Sequence, residues 1–331
     1  MKSKLISPSF GHDTPLPIDS GVGHNAHGVI CAANEARFTA SHFNEGLTGL
    51  TIGWKDPQDI DGILARLFPA IPTARRFSFR SAVNAQAFLS ETDDLRPIGS
   101  PFKRVEYSGV MTEARTFNRG LTVTIDHDET DDLEAEVALA VGRLQQRLRR
   151  NSLRRGLALL DASDVAVGAK VWSASTNPDG DLRDMGIASA NVTGVYPNVF
   201  AIAEAAWHLR LNAYEAGATR TNAGSRSLLT PQQLAQYLGA DVVEIVKARY
   251  QSTATAKAVA LPTLVFAYSA FQGQSKDDPS AVKRFVSSGR GGAGIGIYRK
   301  DEDKYTEVSA EHYENIVATG TGIQSIAPAA S

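Results

Sequence analysis

A chain of 331 residues, 43% hydrophobic and 21% charged, can bury one large core or two to three smaller ones, and this balance excludes an intrinsically disordered protein. The formal net charge of −2 excludes a surface built all round to grip nucleic acid, while leaving room for a local basic stripe. A single cysteine, Cys31, excludes an internal disulfide and a cysteine-only metal site, and no apolar run approaches the ~18–20 residues of a membrane span.

The segment Met1 to Ile6 starts basic but lacks an apolar h-region behind it, so the expected product is soluble and made in a cytoplasm. Residues 1–35, rich in Gly, Pro, His and Ser, have too little apolar surface to offset their ordering entropy and are expected to form a mobile arm. Order is expected from Ala36 to Gly53, anchored by Phe38, Phe43, Leu47, Leu50 and Ile52. Between Asp59 and Phe68, the residues Ile60, Ile63, Leu64, Leu67 and Phe68 recur at helical spacing, and Pro69 and Pro72 stop the helix.

From Thr73 to Gly120 the pattern changes to alternation, in Arg75–Arg80 and again in Lys103–Tyr107, with a polar stretch between them. A two-stranded excursion so poor in apolar residues cannot make its own core, and must lie on a neighbouring domain or on another chain. Leu121–Ile125 reads as a better-buried strand. A long helix follows from Asp131 to Ala162, with Asp131 as N-cap in a capping-box relation to Glu134. Its stripe of Leu133, Val137, Val141, Leu144 and Leu148 gives way to Leu153, Leu157 and Leu160 on nearly the opposite side, which implies a kink or a change of packing partner near Arg150–Ser152.

Residues 181–280 read as alternating helices and strands. Asp181–Thr193 is a helix ended by Gly194, Asn198–Ala203 a strand followed by a helix through Trp207, and Thr230–Gly239 a helix with an N-cap Thr and Pro at N1. Val242–Val246 and Leu261–Phe266 are buried-strand candidates. The tail returns to β character at Val282–Val286, Ile295–Arg299 and Tyr305–Val308, then closes with a short helix over Ala310–Val317 and a loose final dozen residues.

Candidate chemistry is sparse. Gly289 to Gly294 satisfies G-x-G-x-x-G, but strand-like residues follow where a dinucleotide loop needs a helix, so a flexible hairpin is expected and no cofactor. Asp126, His127, Asp128, Glu129, Asp131 and Asp132 form the densest set of metal-ligating residue types, at a helix start where carboxylates are favoured anyway. His24 and His27 lack a nearby partner. No nucleophile elbow, HExxH or paired-carboxylate pattern appears, which argues against an enzyme. The charge pattern that stands out is Arg143, Arg147, Arg150 and Arg154, spaced to share one helical face, with Arg149 and Arg155 nearby. Two readings stay open: a solvated face answered by acids such as Glu136, or a surface for a polyanion or an acidic neighbouring subunit.

Several segments, in order, resemble the major capsid proteins of tailed bacteriophages. They are Gly49–Gly53 with Asp59-Ile60 and Leu67–Pro72; the long helix; Trp172; Asn177–Leu182; Thr193–Asn198 with Ala206-Trp207; and Thr230–Gly239. The resemblance spans roughly residues 45–318. It implies an α+β fold of the Hong Kong phage type, shared with encapsulins. Its parts would be an N-terminal arm and short helix (1–72), an extended loop (73–119), a peripheral domain with a spine helix (120–180 and 281–331) and an axial domain (181–280).

The resemblance further implies a shell protein that self-assembles as pentamers and hexamers around double-stranded DNA in a virion formed in a bacterial cytoplasm. Scaffolding is then separate or unnecessary, or the chain is already trimmed, and separate scaffolding, decoration and portal proteins are candidate partners. The loop residues Arg75, Arg76, Arg80, Arg96, Lys103 and Arg104 would then serve inter-subunit contacts, and Arg143, Arg147, Arg150 and Arg154 would face DNA or a subunit junction. No counterpart of a cleaved N-terminal scaffold is found, and no lysine cross-link is expected. The other readings are an encapsulin-like compartment and a soluble enzyme with a metal at His127.

Overall fold

A computed structural model describes residues 23–24, 30–31, 40–53, 56, 58–80, 95–96, 101, 111–217, 229–253, 255–271, 279–287, 294–320 and 322–330. In chain order, the first half contains β1 (Gly23–His24), β2 (Ile30–Cys31), α1 (Glu45–Gly53), α2 (Ile60–Leu67), β3 (Ala70–Pro72), β4 (Arg76–Arg80), β5 (Met111–Arg115), β6 (Phe117–Asp126) and α3 (Leu133–Ser163). Then follow β7 (Val165–Trp172), α4 (Pro178–Thr193), β8 (Val199–Ala203), α5 (Glu204–Ala216), α6 (Pro231–Leu238) and β9 (Val242–Val246). The last part holds β10 (Arg249–Gln251), β11 (Lys257–Val259), β12 (Val265–Tyr268), β13 (Val282–Ser287), β14 (Gly296–Asp301), β15 (Tyr305–Ala318) and β16 (Gln324–Ala330).

Two sheets share one helix. The first sheet is built around β15, with β6 along one side and β14 and then β13 along the other; β3 adds parallel to β13. The second runs β7-β16-β12-β8-β9. Helix α3 serves both. Val137, Val141, Leu144 and Leu148 pack with Ile125, Ile297, Val308 and Ala310 of the first sheet. Leu153, Leu157 and Leu160 join the larger core that also holds Phe200, Phe266 and Ile326 of the second sheet, and α2 lies against this half of the helix, with Phe68 over Gly156. The change of face near Arg150 is therefore a change of packing partner, and the helix runs on without a break.

Local signals account for the helix ends. Thr230 and Gln233 cap each other reciprocally with Pro231 at N1, and Gly239 closes α6 at φ 70°. Gly194, also at φ 70°, closes α4. The N-cap of α3 is Asp132, whose carboxylate accepts from the Ala135 amide at 3.1 Å, and not Asp131. Alanine thus occupies N3, so Glu134 makes no capping box and instead pairs with Arg299 at 2.8 Å. Where α2 crosses α3, a Cβ on Gly156 would lie 2.5 Å from the Phe68 ring. Gly156→Ala is expected to lower stability by about 1–3 kcal/mol through this overlap, read as a lower thermal midpoint with unchanged far-UV dichroism.

Other segments depart from expectation. Ala310–Val317 is not a helix but the second half of the long strand β15, paired to β6 and β13. The final residues, expected to be loose, form β16 between β7 and β12 in the interior of the second sheet. The strand expected at Leu261–Phe266 begins only at Val265, after a turn in which the Leu264 amide bonds the Pro262 carbonyl. Helix α1 and strand β7 were not foreseen at all. Within the expected arm, β1 and β2 form a two-residue antiparallel ladder. No helix among the described residues is long and apolar enough to cross a membrane.

Candidate functional site

Three surfaces and one buried centre gather the charged residues. Along α3, Arg143 reaches back to Glu136 at 3.0 Å, an exposed pair that contributes little. Arg147 is exposed and has no partner among the described residues. The Arg150 guanidinium donates to the Gln58 amide oxygen at 3.1 Å, and Arg154 stacks on the Tyr250 ring at 3.8 Å. Glu136 is thus the one acid that answers the stripe among the described residues, and the face stays basic. Arg149 and Arg155 are withdrawn from it, to Asp61 at 2.8 Å and to Glu314 at 3.2 Å.

The hairpin β4–β5 has a rooted base and an exposed far strand. Phe77 and Phe79 pack on Phe285, with ring centroids 4.3 and 5.2 Å apart, so the base sits on its own subunit. Met111, Thr112 and Glu113 of β5, by contrast, are exposed on both faces. Arg75 lies over the Tyr313 ring at 4.3 Å, Arg76 stands directly opposite Arg115 in the ladder, and Arg80 is half-buried opposite Met111. Two arginines face to face are unfavourable until an anion joins them. Arg96 is exposed. Lys103 and Arg104, with the strand expected around them, lie outside the described residues.

The acidic run at the start of α3 does not converge. Among the described residues no group of three His, Cys, Asp or Glu side chains could hold a metal ion. His127 instead bonds the Thr306 hydroxyl at 2.9 Å, and Asp126 caps the Asp128 amide. Residues 289–293 of the Gly-rich run, with the hairpin expected there, lie outside the described residues; Gly294, at φ 75°, precedes strand β14, the strand expected after the run.

The feature that sequence reasoning missed lies under the middle of α3. Glu314, 1% exposed, accepts from Arg284 at 2.9 Å and from Arg155 at 3.2 Å, with His312 at 4.0 Å. Burial alone would raise the Glu314 carboxyl, but Arg284, His312 and Arg155 outweigh it and hold it at about 2. Burial, assisted by Arg149, Arg155 and Arg284 against the pull of Glu314, lowers His312 to about 4. This centre sits where α3 passes from the first core to the second, at Ser152, which hydrogen-bonds both Arg155 and His312. Its signal in the sequence was an alternation, Thr306, Val308, Ala310, His312, Glu314, whose inward face turns polar halfway along. A second buried pair, Arg210 with Asp179 at 2.6 and 3.1 Å, ties α5 to the start of α4 between Trp207 and Tyr214.

No protein-family model matches this chain, and no curated protein matches it. Solved structures do. A phage-related protein from Bordetella bronchiseptica RB50 superposes with a TM-score of 0.63 at 14% identity, over 86% of this chain and 96% of its own. The capsid protein of Myoviridae phage XM1 superposes with a TM-score of 0.50 at 12% identity, over 80% of this chain and 91% of its own. Superposition over most of this chain and nearly all of each neighbour, at identities this low, is a statement about architecture. The chain has the α+β fold of tailed-phage capsid proteins.

Proposed function

We propose that this chain is the major capsid protein of a tailed phage, self-assembling through pentamers and hexamers into an icosahedral shell around double-stranded DNA. The observation that carries the reading is the hairpin β4–β5: Met111, Thr112 and Glu113 of its second strand are exposed on both faces and a like-charged arginine pair lies across its base, so a neighbour would complete it. The capsid fold supports this, because repeated heterologous contacts between copies close into a shell. Arg75, Arg76, Arg80, Arg96, Lys103 and Arg104 are then inter-subunit residues. The first sheet with its hairpin forms the peripheral region, and the second sheet with α4–α6 forms the axial region. On strand pairing, β7 and β16 go with the axial region. Scaffolding, decoration and portal proteins are separate partners in this reading, and assembly takes place in the host cytoplasm.

Purified protein should form large closed particles by light scattering and negative-stain microscopy, and particles from infected or induced cells should hold nuclease-protected DNA. A small, discrete oligomer in solution sinks the shell reading. Particles carrying protein cargo and no nucleic acid would make it a compartment instead.

Under the same reading, Arg143, Arg147, Arg150 and Arg154 face the packaged polyanion. Replacing Arg143, Arg147 and Arg154 together by Glu should leave particles intact and weaken their hold on DNA. The slope of log affinity against log salt should fall in magnitude by roughly 2–3, as three phosphate contacts are lost. An unchanged slope assigns the stripe elsewhere.

A further inference from the structure

Strand β6 is an open edge. Its ten residues pair with β15 from Phe117↔Glu314 to Asp126↔Tyr305, and among the described residues no strand lies on its other side. Asn118, Gly120, Thr122 and Thr124 are exposed along it. Protein edges are ordinarily guarded by proline, lysine, a bulge or a covering segment. This one has no Pro or Lys between Phe117 and Asp126, and its register is unbroken.

Its ends carry opposite charge. At one end Arg115 and Arg119 flank the Phe117 ring, at 5.2 and 5.6 Å, and neither has an acidic partner among the described residues. At the other end Asp126, Asp128 and Glu129 are exposed. Asp128 and Glu129 have no basic partner among the described residues. Arg119 and Asp126 are seven residues apart and Arg115 and Asp126 eleven, roughly 23–37 Å of extended chain, several times the ~8 Å screening length. The two ends therefore cannot neutralise each other within one chain. The stretch between, Gly120–Thr124, is uncharged and rich in β-branched residues.

We infer that β6 pairs edge to edge with β6 of a second copy, antiparallel, so that each basic end meets the partner's acidic end. A parallel pairing would set like against like, so the charge layout selects the antiparallel one. The contact is isologous and joins two copies of the first sheet across a two-fold axis. It deepens the shell reading by naming one contact between subunits, and rests on that reading only for the size of the final product.

The test uses two charge-reversed forms of the full chain. Arg115→Glu with Arg119→Glu makes both ends acidic; Asp128→Lys with Glu129→Lys makes both basic. Each alone should raise the concentration threshold for association at least about tenfold by sedimentation velocity. Mixed one to one, the two forms are complementary at both ends and should associate at the parent's threshold. The inference is overturned if either folded form associates like the parent, or if the mixture does no better than its components. Should a double variant fail to fold, Thr124→Lys puts a charge on the exposed strand, and a folded Thr124→Lys protein with the parent's threshold also overturns it. A parent that stops at dimers while the mixing result holds leaves the edge pairing standing and removes the shell.

Discussion

Glu314→Gln is expected to destabilise the protein by about 3–5 kcal/mol, because it leaves Arg284 buried with no counter-charge and Arg155 and Arg149 close by. The same centre sets an acid response whose sign is fixed by the two shifts. The Glu314 carboxyl, held at about 2 against an ordinary 4.5, contributes stability that is complete above pH 4.5 and lost as pH falls through 2. His312, held at about 4 against an ordinary 6.5, stays neutral in the fold while the unfolded chain takes up its proton. Its contribution therefore also falls as pH drops from 6.5 to 4. Each window is on the order of 3 kcal/mol, and the two overlap into one slope from mild to strong acid. Thermal midpoints measured from pH 7 to 3 should decline throughout. His312→Gln should flatten the part between 6.5 and 4; an unchanged decline there would assign it to another group.

Asp179→Ala should cost a similar amount, about 3–5 kcal/mol by denaturant titration, since Arg210 is 1% exposed and its guanidinium would lose both carboxylate bonds. Removing both partners, as Asp179→Leu with Arg210→Met, should recover most of that loss, because the larger part is the stranded charge and not the pair itself. A double variant as unstable as the single one would show that the pair's geometry, and not its charge balance, holds α4 to α5.

Sequence legibility followed the range of the signal. Helix α6 was readable to the residue because Thr230, Pro231, Gln233 and Gly239 act within one turn of each end. Helix α3 and strand β4 were readable from periodicity. The strand β15 was not, because His312 and Glu314 occupy inward positions normally held by apolar side chains, and Ala310, Tyr313 and Val317 happen to recur at helical spacing. Strands β7 and β16 escaped for a related reason: they are built from Ala, Gly, Ser and Pro as much as from β-branched residues, and pairing with distant segments decides them. The buried charge centre draws Arg155, Arg284 and Glu314 from three elements far apart in the chain, a proximity that only the fold creates.

Helix α3 is 31 residues long, about 46 Å, and is gripped by one core on one flank and by the other on nearly the opposite flank. A continuous rod held in this way acts as a torsion shaft: a twist of one core is passed along the helix to the other. The two sheets are also joined directly, from β12 to β13 and from β15 to β16, where the Ala281 amide bonds the Ser269 carbonyl and the Thr319 amide bonds the Ala281 carbonyl, so a change in their relative angle falls on these connections as well as on Asp164 after the helix.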